Sequence, residues 1–211
     1  MGRMTSHSGP VPARRATAAD VDAITDAFTT AFFRDPVWGP VFPDESLRAE
    51  QSAVMWRVYA ASALRYPWTF VTPGVESAAI WIPPGGAELT AAEARRLTEL
   101  IEEAAGPVAA ATAREIDERF AAAHPAGEFF HLTILATHDR HRGKGLGMAL
   151  LADTLARVDA LGAAAYLEST NPANNERYRN AGFEPRADIT MPSGRTVTTM
   201  WRPARHGTGE C

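Results

Sequence analysis

The glycines of the stretch Arg142-Gly-Lys-Gly-Leu-Gly147 are the residues whose spacing points most directly to chemistry. Glycine lacks a Cβ atom, so the backbone at Gly143, Gly145 and Gly147 can adopt positive φ angles or let an anion approach closely. Successive N–H groups of such a loop can then point at phosphate oxygens. The pattern predicts a phosphate-binding loop. A tight strand-to-helix turn also uses glycine, so the spacing alone leaves both interpretations open.

The elements on either side of this loop favour the phosphate-binding interpretation. Residues 129–137 contain no proline or glycine and are rich in β-branched and aromatic side chains, which is typical of a strand. After the loop, apolar residues recur at helical spacing at Met148, Leu151, Leu155, Val158 and Leu161. The loop therefore leads into a helix N-terminus, whose unpaired amides and dipole favour an anion. Its spacing fits neither the P-loop nor the dinucleotide-binding pattern Gly-x-Gly-x-x-Gly.

Ionisable residues further along the chain are candidates for proton transfer. Glu168 ends an otherwise apolar predicted strand, and a buried acid needs either a partner or a function. His131 and Glu128, at the start of the predicted central strand, are alternative bases, although His131 could equally be a core histidine. The six histidines are scattered, and none is paired with acids at helical ligand spacing. We therefore expect no metal site.

Composition limits the class of protein. The chain has 211 residues, 45% of them hydrophobic, which predicts one soluble domain. The apolar runs are shorter than the roughly 18 residues that a membrane helix needs, and no apolar signal segment is visible, so we expect a cytoplasmic protein that does not bind membranes. A net charge of −4 disfavours nucleic acid as a partner and favours a cationic amine. Cys211, the only cysteine, excludes an internal disulfide.

The order of predicted elements indicates an α/β fold. We predict disordered ends at residues 1–10 and 204–211 and a single domain over residues 11–203. Within it, a first strand at 11–16, two helices and a β-hairpin precede the central strand. Capping signals and composition predict an additional pair of helices just before that strand, with the first opened by Thr90 and Glu93. A strand at 164–169, a short helix and a final hairpin follow the helix after the glycine loop.

Two motifs together resemble the GCN5-related N-acetyltransferase (GNAT) superfamily. Arg142–Gly147 matches the family's Arg/Gln-x-x-Gly-x-Gly/Ala loop, and Tyr178-Arg-Asn-Ala-Gly-Phe183 matches its Tyr-x-x-x-Gly-Phe. The resemblance covers about residues 12–202. It implies a mixed central sheet of about six to seven strands flanked by helices, to which the extra helical pair is an insertion. Residues 167–169, 172–174 and the closing hairpin resemble the puromycin N-acetyltransferases within this superfamily.

The resemblance implies acetyl-CoA as cofactor and a set of site residues. The loop amides would hold the pyrophosphate, with Arg142 and Lys144 screening its charge. The free edge of the central strand would pair with the pantetheine arm, and Asn174 would bind near the sulfur. Tyr178 would be the general acid and Glu168 the base. The expected cofactor-binding residues are Leu135, Ala136, Thr137, Arg142, Gly143, Lys144, Gly145, Leu146, Gly147, Met148, Asn174 and Tyr178.

The acceptor is less constrained than the reaction. In this family the first two helices and their connecting loop form one wall of the acceptor cleft. The candidate pocket residues, which could alternatively be core residues, are Trp38, Phe42, Met55, Trp56, Tyr59 and His131. We expect direct transfer to a primary amine of a small molecule, with an aminonucleoside or other antibiotic as one candidate. A protein lysine or N-terminus, or binding of acyl-CoA without turnover, are the alternatives. The sequence is compatible with a monomer or a homodimer.

Overall fold

A computed structural model describes residues 13–205. Of the ends predicted to be disordered, residues 1–10 and 206–211 lie outside this range, and Cys211 with them. The helices are α1 Val21–Phe32, α2 Arg48–Ala63, α3 Ala91–Ala105, α4 Pro107–Ala123, α5 Leu146–Ala160 and α6 Asn175–Asn180. The strands are β1 Arg14–Arg15, β2 Thr69–Val71, β3 Ser77–Ile82, β4 Phe130–Thr137, β5 Ala165–Ser169, β6 Glu184–Thr190 and β7 Thr196–Arg202. None of the described helices has the length and apolar character needed to cross a membrane.

The strands form one seven-stranded mixed sheet in the order β1-β2-β3-β4-β5-β7-β6. Every neighbouring pair is antiparallel except β4 and β5, which run parallel. The predicted mixed sheet and the helical pair α3–α4 before the central strand β4 are confirmed. Of the first strand predicted at 11–16, Arg14 and Arg15 pair with β2 and the N–H of Ala16 donates to the carbonyl of Thr69, whereas residues 11 and 12 lie outside the described range.

The sheet separates two apolar cores because side chains of a strand alternate between its faces. On β3, Ile80 and Ile82 pack in the core beneath α1–α4, whereas Ala79 and Trp81 pack in the core beneath α5. Trp81 and Ile80 are at most 1% exposed. A sheet covered on both faces explains why β3 is buried along its whole length.

The first helical layer is anchored just before α1 by a capping box that opens the short 3-10 turn Ala18–Asp20. The Asp20 carboxylate accepts hydrogen bonds from the backbone N–H and the hydroxyl of Thr17, at 2.8 and 2.9 Å. It also pairs with both terminal nitrogens of Arg14 on β1, at 2.7 and 2.8 Å. These contacts join the edge of the sheet to the start of α1.

An irregularity in β4 opens the middle of the sheet. In its pairing with β3, Ile134 lies opposite Ile80 and Leu132 opposite Trp81, so Thr133 is skipped as in a β-bulge. On the other side, β4 pairs with β5 only at Phe130 and His131. Beyond His131 the two strands diverge. The β5-facing edge of the second half of β4 is therefore left without a neighbouring strand.

Candidate active site

A cavity of about 730 Å³ lies where β4 and β5 diverge. The glycine loop and the start of α5 form one end, which we call the loop end. Side chains of α1, α2 and α4, together with the first residues of β4, form the other end, which we call the aromatic end. The loop end includes Leu135, Ala136, Thr137, Arg142, Gly143, Gly145, Leu146, Gly147, Met148, Asn174 and Tyr178.

The glycine loop has the backbone geometry that its sequence predicts. Gly143 and Gly145 have φ angles of 77° and 76°, in the left-handed region that favours glycine. A Cβ atom on Gly147 would lie 2.7 Å from the hydroxyl oxygen of Thr137, so glycine permits the close approach of α5 to β4. Because α5 begins at Leu146, the N–H groups of its first residues have no acceptor within the helix. These features fit the pyrophosphate of acetyl-CoA.

The two cations of the loop are placed differently. Arg142 lines the cavity, and its guanidinium donates a 2.6 Å hydrogen bond to the carbonyl of Ala31 near the end of α1. Lys144 is exposed and lies outside the cavity wall, with Nζ 3.3 Å from Nδ1 of His141. A direct contact between Lys144 and a ligand inside the cavity is therefore not supported, whereas His141 does line the wall.

His131 and Glu168 form a buried dyad on the cavity wall. His131 lies beside Tyr166 across the parallel β4–β5 pair, and Glu168 is the next residue on the same face of β5. Nε2 of His131 lies 2.7 Å from Oε2 of Glu168, and these side chains are 7% and 6% exposed. Nε2 of His124, at the end of α4, lies 3.3 Å from Oε1 of Glu168.

His131 and Glu168 each stabilise the charged form of the other. Burial alone would raise the pKa of Glu168, but the charges of His131 and His124 and their hydrogen bonds lower it well below its ordinary value. Burial alone would lower the pKa of His131, but Glu168 raises it above the ordinary value. An ionised Glu168 can only accept, so Nε2 of His131 carries the hydrogen and Nδ1 is the nitrogen able to take up a proton.

Three side chains that are scattered in sequence are clustered in the structure. The histidines are scattered along the chain, but the fold brings His124, His131 and Glu168 together, with one ligand atom from each within 4.8 Å of the others. Sequence spacing did not reveal this set because its members come from α4, β4 and β5. The 2.7 Å contact of His131 with Glu168 is an ordinary hydrogen bond between a histidine and a carboxylate. Glu128, the other alternative base, is exposed and outside the cavity wall.

Tyr178 lines the cavity and begins the predicted Tyr-x-x-x-Gly-Phe motif. Its ring packs edge-on against Phe183, with centroids 6.2 Å apart. Burial, reinforced by the charge of Asp35, raises the pKa of Tyr178 to about 12, so the phenol keeps its proton at neutral pH. Asn174 lies nearby on the wall and accepts a 3.1 Å hydrogen bond from Arg177.

Aromatic side chains form the wall of the aromatic end. Trp56 is central to them: it stacks on Phe32 at 4.7 Å and meets Trp38 and Tyr59 at 5.5 and 6.2 Å between ring centroids. Phe120 of α4 completes the group. These residues line the cavity, as does His131.

Two predicted pocket residues occupy a different position. Phe42 and Met55 are each 1% exposed and belong to the core beneath α1–α4, away from the cavity wall. Apolar residues on a helix or loop face either a core or a pocket, and the sequence does not distinguish these surroundings. Conversely, sequence analysis missed Glu88 and Asp117, which line the aromatic end. Asp117 looks like a surface acid in sequence because charged residues surround it, and Glu88 lies in a predicted connection that carries no motif.

Three features together define an acyltransferase of the GNAT class: the divergent strands β4 and β5, the glycine loop at the N-terminus of α5, and the cavity that connects the loop end with the aromatic end. A model of the acetyltransferase (GNAT) family matches residues 55–183, which is more than half of the chain. The chain belongs to the GNAT family, and it is accordingly an N-acetyltransferase.

Solved structures agree with this fold. A protein from Corynebacterium glutamicum, described as histone acetyltransferase HPA2 and related acetyltransferase, is 25% identical with a TM-score of 0.68, covering 93% of this chain and 97% of its own. Arylalkylamine N-acetyltransferase 2 from Aedes aegypti is 13% identical with a TM-score of 0.61, covering 92% of this chain and 99% of its own.

Proposed function

We propose that this protein transfers the acetyl group of acetyl-CoA to a primary amine of a small molecule, by direct attack with both substrates bound. One observation carries the proposal: a single cavity joins the glycine loop to the His131–Glu168 dyad and contains Tyr178 on its wall. The names of the similar structures point to both protein and small-amine acceptors, so the cavity itself is the better guide. Its aromatic end suits a small molecule more than a protein chain.

The residues at the loop end are suited to hold the cofactor. The N–H groups from Gly143 to Met148 would bind the pyrophosphate, and the free edge of β4 at Leu135–Thr137 would pair with the pantetheine arm. The thioester of acetyl-CoA supplies an activated acetyl group. A backbone N–H on the free edge of β4 can stabilise negative charge that develops on a carbonyl oxygen beside it.

The dyad and Tyr178 would handle the two protons of the reaction. An amine attacks only in its neutral form, and we assign the uptake of its proton to Nδ1 of His131, the nitrogen that does not face Glu168. Glu168 stabilises the resulting imidazolium and fixes the ring orientation. Tyr178 holds a proton at Oη, where a departing thiolate needs one. The sequence predicted Glu168 as the base. We now propose His131 as the base and Glu168 as the group that supports it.

Direct attack is favoured over a covalent acetyl-enzyme. The only cysteine of the chain is Cys211, outside the described residues, and the sequence has no Gly-x-Ser-x-Gly motif. The narrower resemblance to puromycin N-acetyltransferases makes an aminonucleoside one acceptor to test.

The test is thiol release from acetyl-CoA with a panel of amines: puromycin, aminoglycosides, arylalkylamines, aliphatic diamines and a lysine peptide. We expect one small-molecule class to be turned over, with kcat reduced roughly 10²- to 10⁴-fold by Tyr178→Phe. Tyr66→Phe removes a phenol hydroxyl outside the cavity, where it bonds to Ala87, and is the matched control. Turnover of the peptide alone would favour a protein acceptor. Thermal stabilisation by acetyl-CoA without any amine-dependent release would favour binding without turnover.

A further inference from the structure

We infer, on the basis of the proposed function, that the acceptor is a diamine: an amine whose body carries a second, protonated nitrogen. The aromatic end provides two acidic stations for nitrogen, which interact electrostatically through Glu88. The first is the dyad of His131 and Glu168. The second is formed by Glu88 and Asp117 beneath the aromatic wall.

The second station consists of carboxylates that the protein leaves without a cation. Asp117 of α4 accepts hydrogen bonds from the Tyr59 hydroxyl, 3.1 Å from each carboxylate oxygen. Glu88 lies in the loop between β3 and α3, half-buried on the cavity wall. Among residues 13–205, neither forms a salt bridge, whereas the exposed Glu118 beside Asp117 pairs with Arg114. Two acids that face a cavity without partners are suited to a cationic ligand.

The aromatic wall is chemically complementary to the same ligand. A protonated amine is attracted to the faces of Trp, Tyr and Phe as well as to carboxylates. The rings of Phe32, Trp38, Trp56 and Phe120 line the cavity together with Tyr59. An apolar spacer between two nitrogens would lie against these rings. Burial and the charge of Glu88 raise the pKa of Asp117 to about 7, and a bound cation would reverse this shift.

The first station offers a second carboxylate oxygen. Glu168 lines the cavity, its side chain is 6% exposed, and its Oε1 lies 3.3 Å from Nε2 of His124. An N–H of the reacting amine could donate to this oxygen while its proton passes to His131. The reacting nitrogen therefore belongs at Glu168 and the second nitrogen at Asp117 and Glu88.

The experiment compares a diamine with a monoamine of equal chain length, cadaverine and n-pentylamine, in the thiol-release assay. We expect kcat/KM to be roughly tenfold to a hundredfold higher for the diamine. This ratio corresponds to the free energy of one hydrogen bond to a charged group. Asp117→Asn and Glu88→Gln should remove most of this preference. Glu118→Gln deletes a neighbouring charge outside the cavity and should keep it.

A second measurement separates recognition from turnover. Calorimetric titration of the two amines into the protein saturated with CoA should show the same preference for cadaverine, lost in Asp117→Asn. Equal turnover of both amines by the parent protein would overturn the diamine assignment and leave the proposed function intact. A preference that survives both carboxylate substitutions would overturn the second station. If no amine of any class raises thiol release, the proposed function fails first, and the assignment of an acceptor fails with it.

Discussion

At the scale of single residues, the hydrogen bond between His131 and Glu168 sets the chemistry of the acceptor site. Each group perturbs the pKa of the other, since both are nearly excluded from water. Glu88, His124 and Tyr166 are further ionisable groups that interact with this pair. A histidine with a raised pKa acts as a base only above that pKa, so activity should rise with pH as His131 loses its proton.

We predict that Glu168→Gln moves the acidic limb of the kcat–pH profile to lower pH and lowers the maximal kcat. The carboxylate raises the pKa of His131, so its removal lets burial lower that pKa. The profile should be measured at saturating acceptor so that the acceptor's own titration does not dominate. Glu128→Gln, at an exposed acid outside the cavity, is the control and should leave the limb in place. An unmoved limb in Glu168→Gln would mean that His131 is not the titrating base.

At the scale of elements, the junction of β4 with α5 depends on glycine. We predict that Gly145→Ala weakens binding of acetyl-CoA, because Gly145 is the left-handed residue preceding α5 and its φ of 76° is unfavourable for alanine. Gly162→Ala, just beyond the end of α5, has a comparable φ of 62° and no neighbour at the Cβ position. Both substitutions should cost roughly 1–2 kcal/mol of stability. Equal affinity of the two variants for acetyl-CoA, by calorimetry, would contradict a role for the loop.

The capping box just before α1 gives a second prediction at this scale. Asp20→Asn should destabilise the protein by about 1–3 kcal/mol at pH 7, since it removes charged hydrogen bonds to Arg14 and Thr17. These contacts lower the pKa of Asp20. Its contribution is therefore present above the unfolded-state pKa near about 4 and is lost as pH falls through the folded value.

Urea unfolding checks the capping box. The free-energy difference between Asp20→Asn and the parent protein should be large at pH 7 and should shrink as the pH is lowered below about 4. Asp22→Asn is the matched control, because Asp22 pairs with Arg57 on the surface with its side chain 80% exposed. It should change stability little. A difference for Asp20→Asn that does not depend on pH would indicate a packing effect.

At the scale of the whole molecule, ligand binding should stabilise the fold by mass action. The cavity contacts both helical layers and the diverging strands, so its ligand binds only the folded chain. Acetyl-CoA at a hundred times its Kd should add about 2.7 kcal/mol and raise Tm by about 5–10 °C. Differential scanning fluorimetry measures this shift, and Gly145→Ala should reduce it. An unchanged Tm at millimolar acetyl-CoA would contradict cofactor binding.

The sequence by itself determined the fold class and the loop end of the site. Glycine spacing, helix capping and the alternation of apolar residues are local properties, and the elements they predict occur in the structure. Gly143 and Gly145 adopt positive φ, which glycine permits because it has no Cβ atom. The two motifs at family spacing were sufficient to indicate the acetyltransferase family.

Only the tertiary structure decided how the acceptor end is built. His124, His131 and Glu168 are far apart in sequence and meet because β4 and β5 are adjacent and α4 ends above them. Asp117 resembles the surface acids around it until α4 is packed over the cavity. Phe42 and Trp38 have the same local character and belong to the same core, yet only Trp38 also lines the cavity. Such distinctions depend on contacts between distant segments, which local residue patterns do not contain.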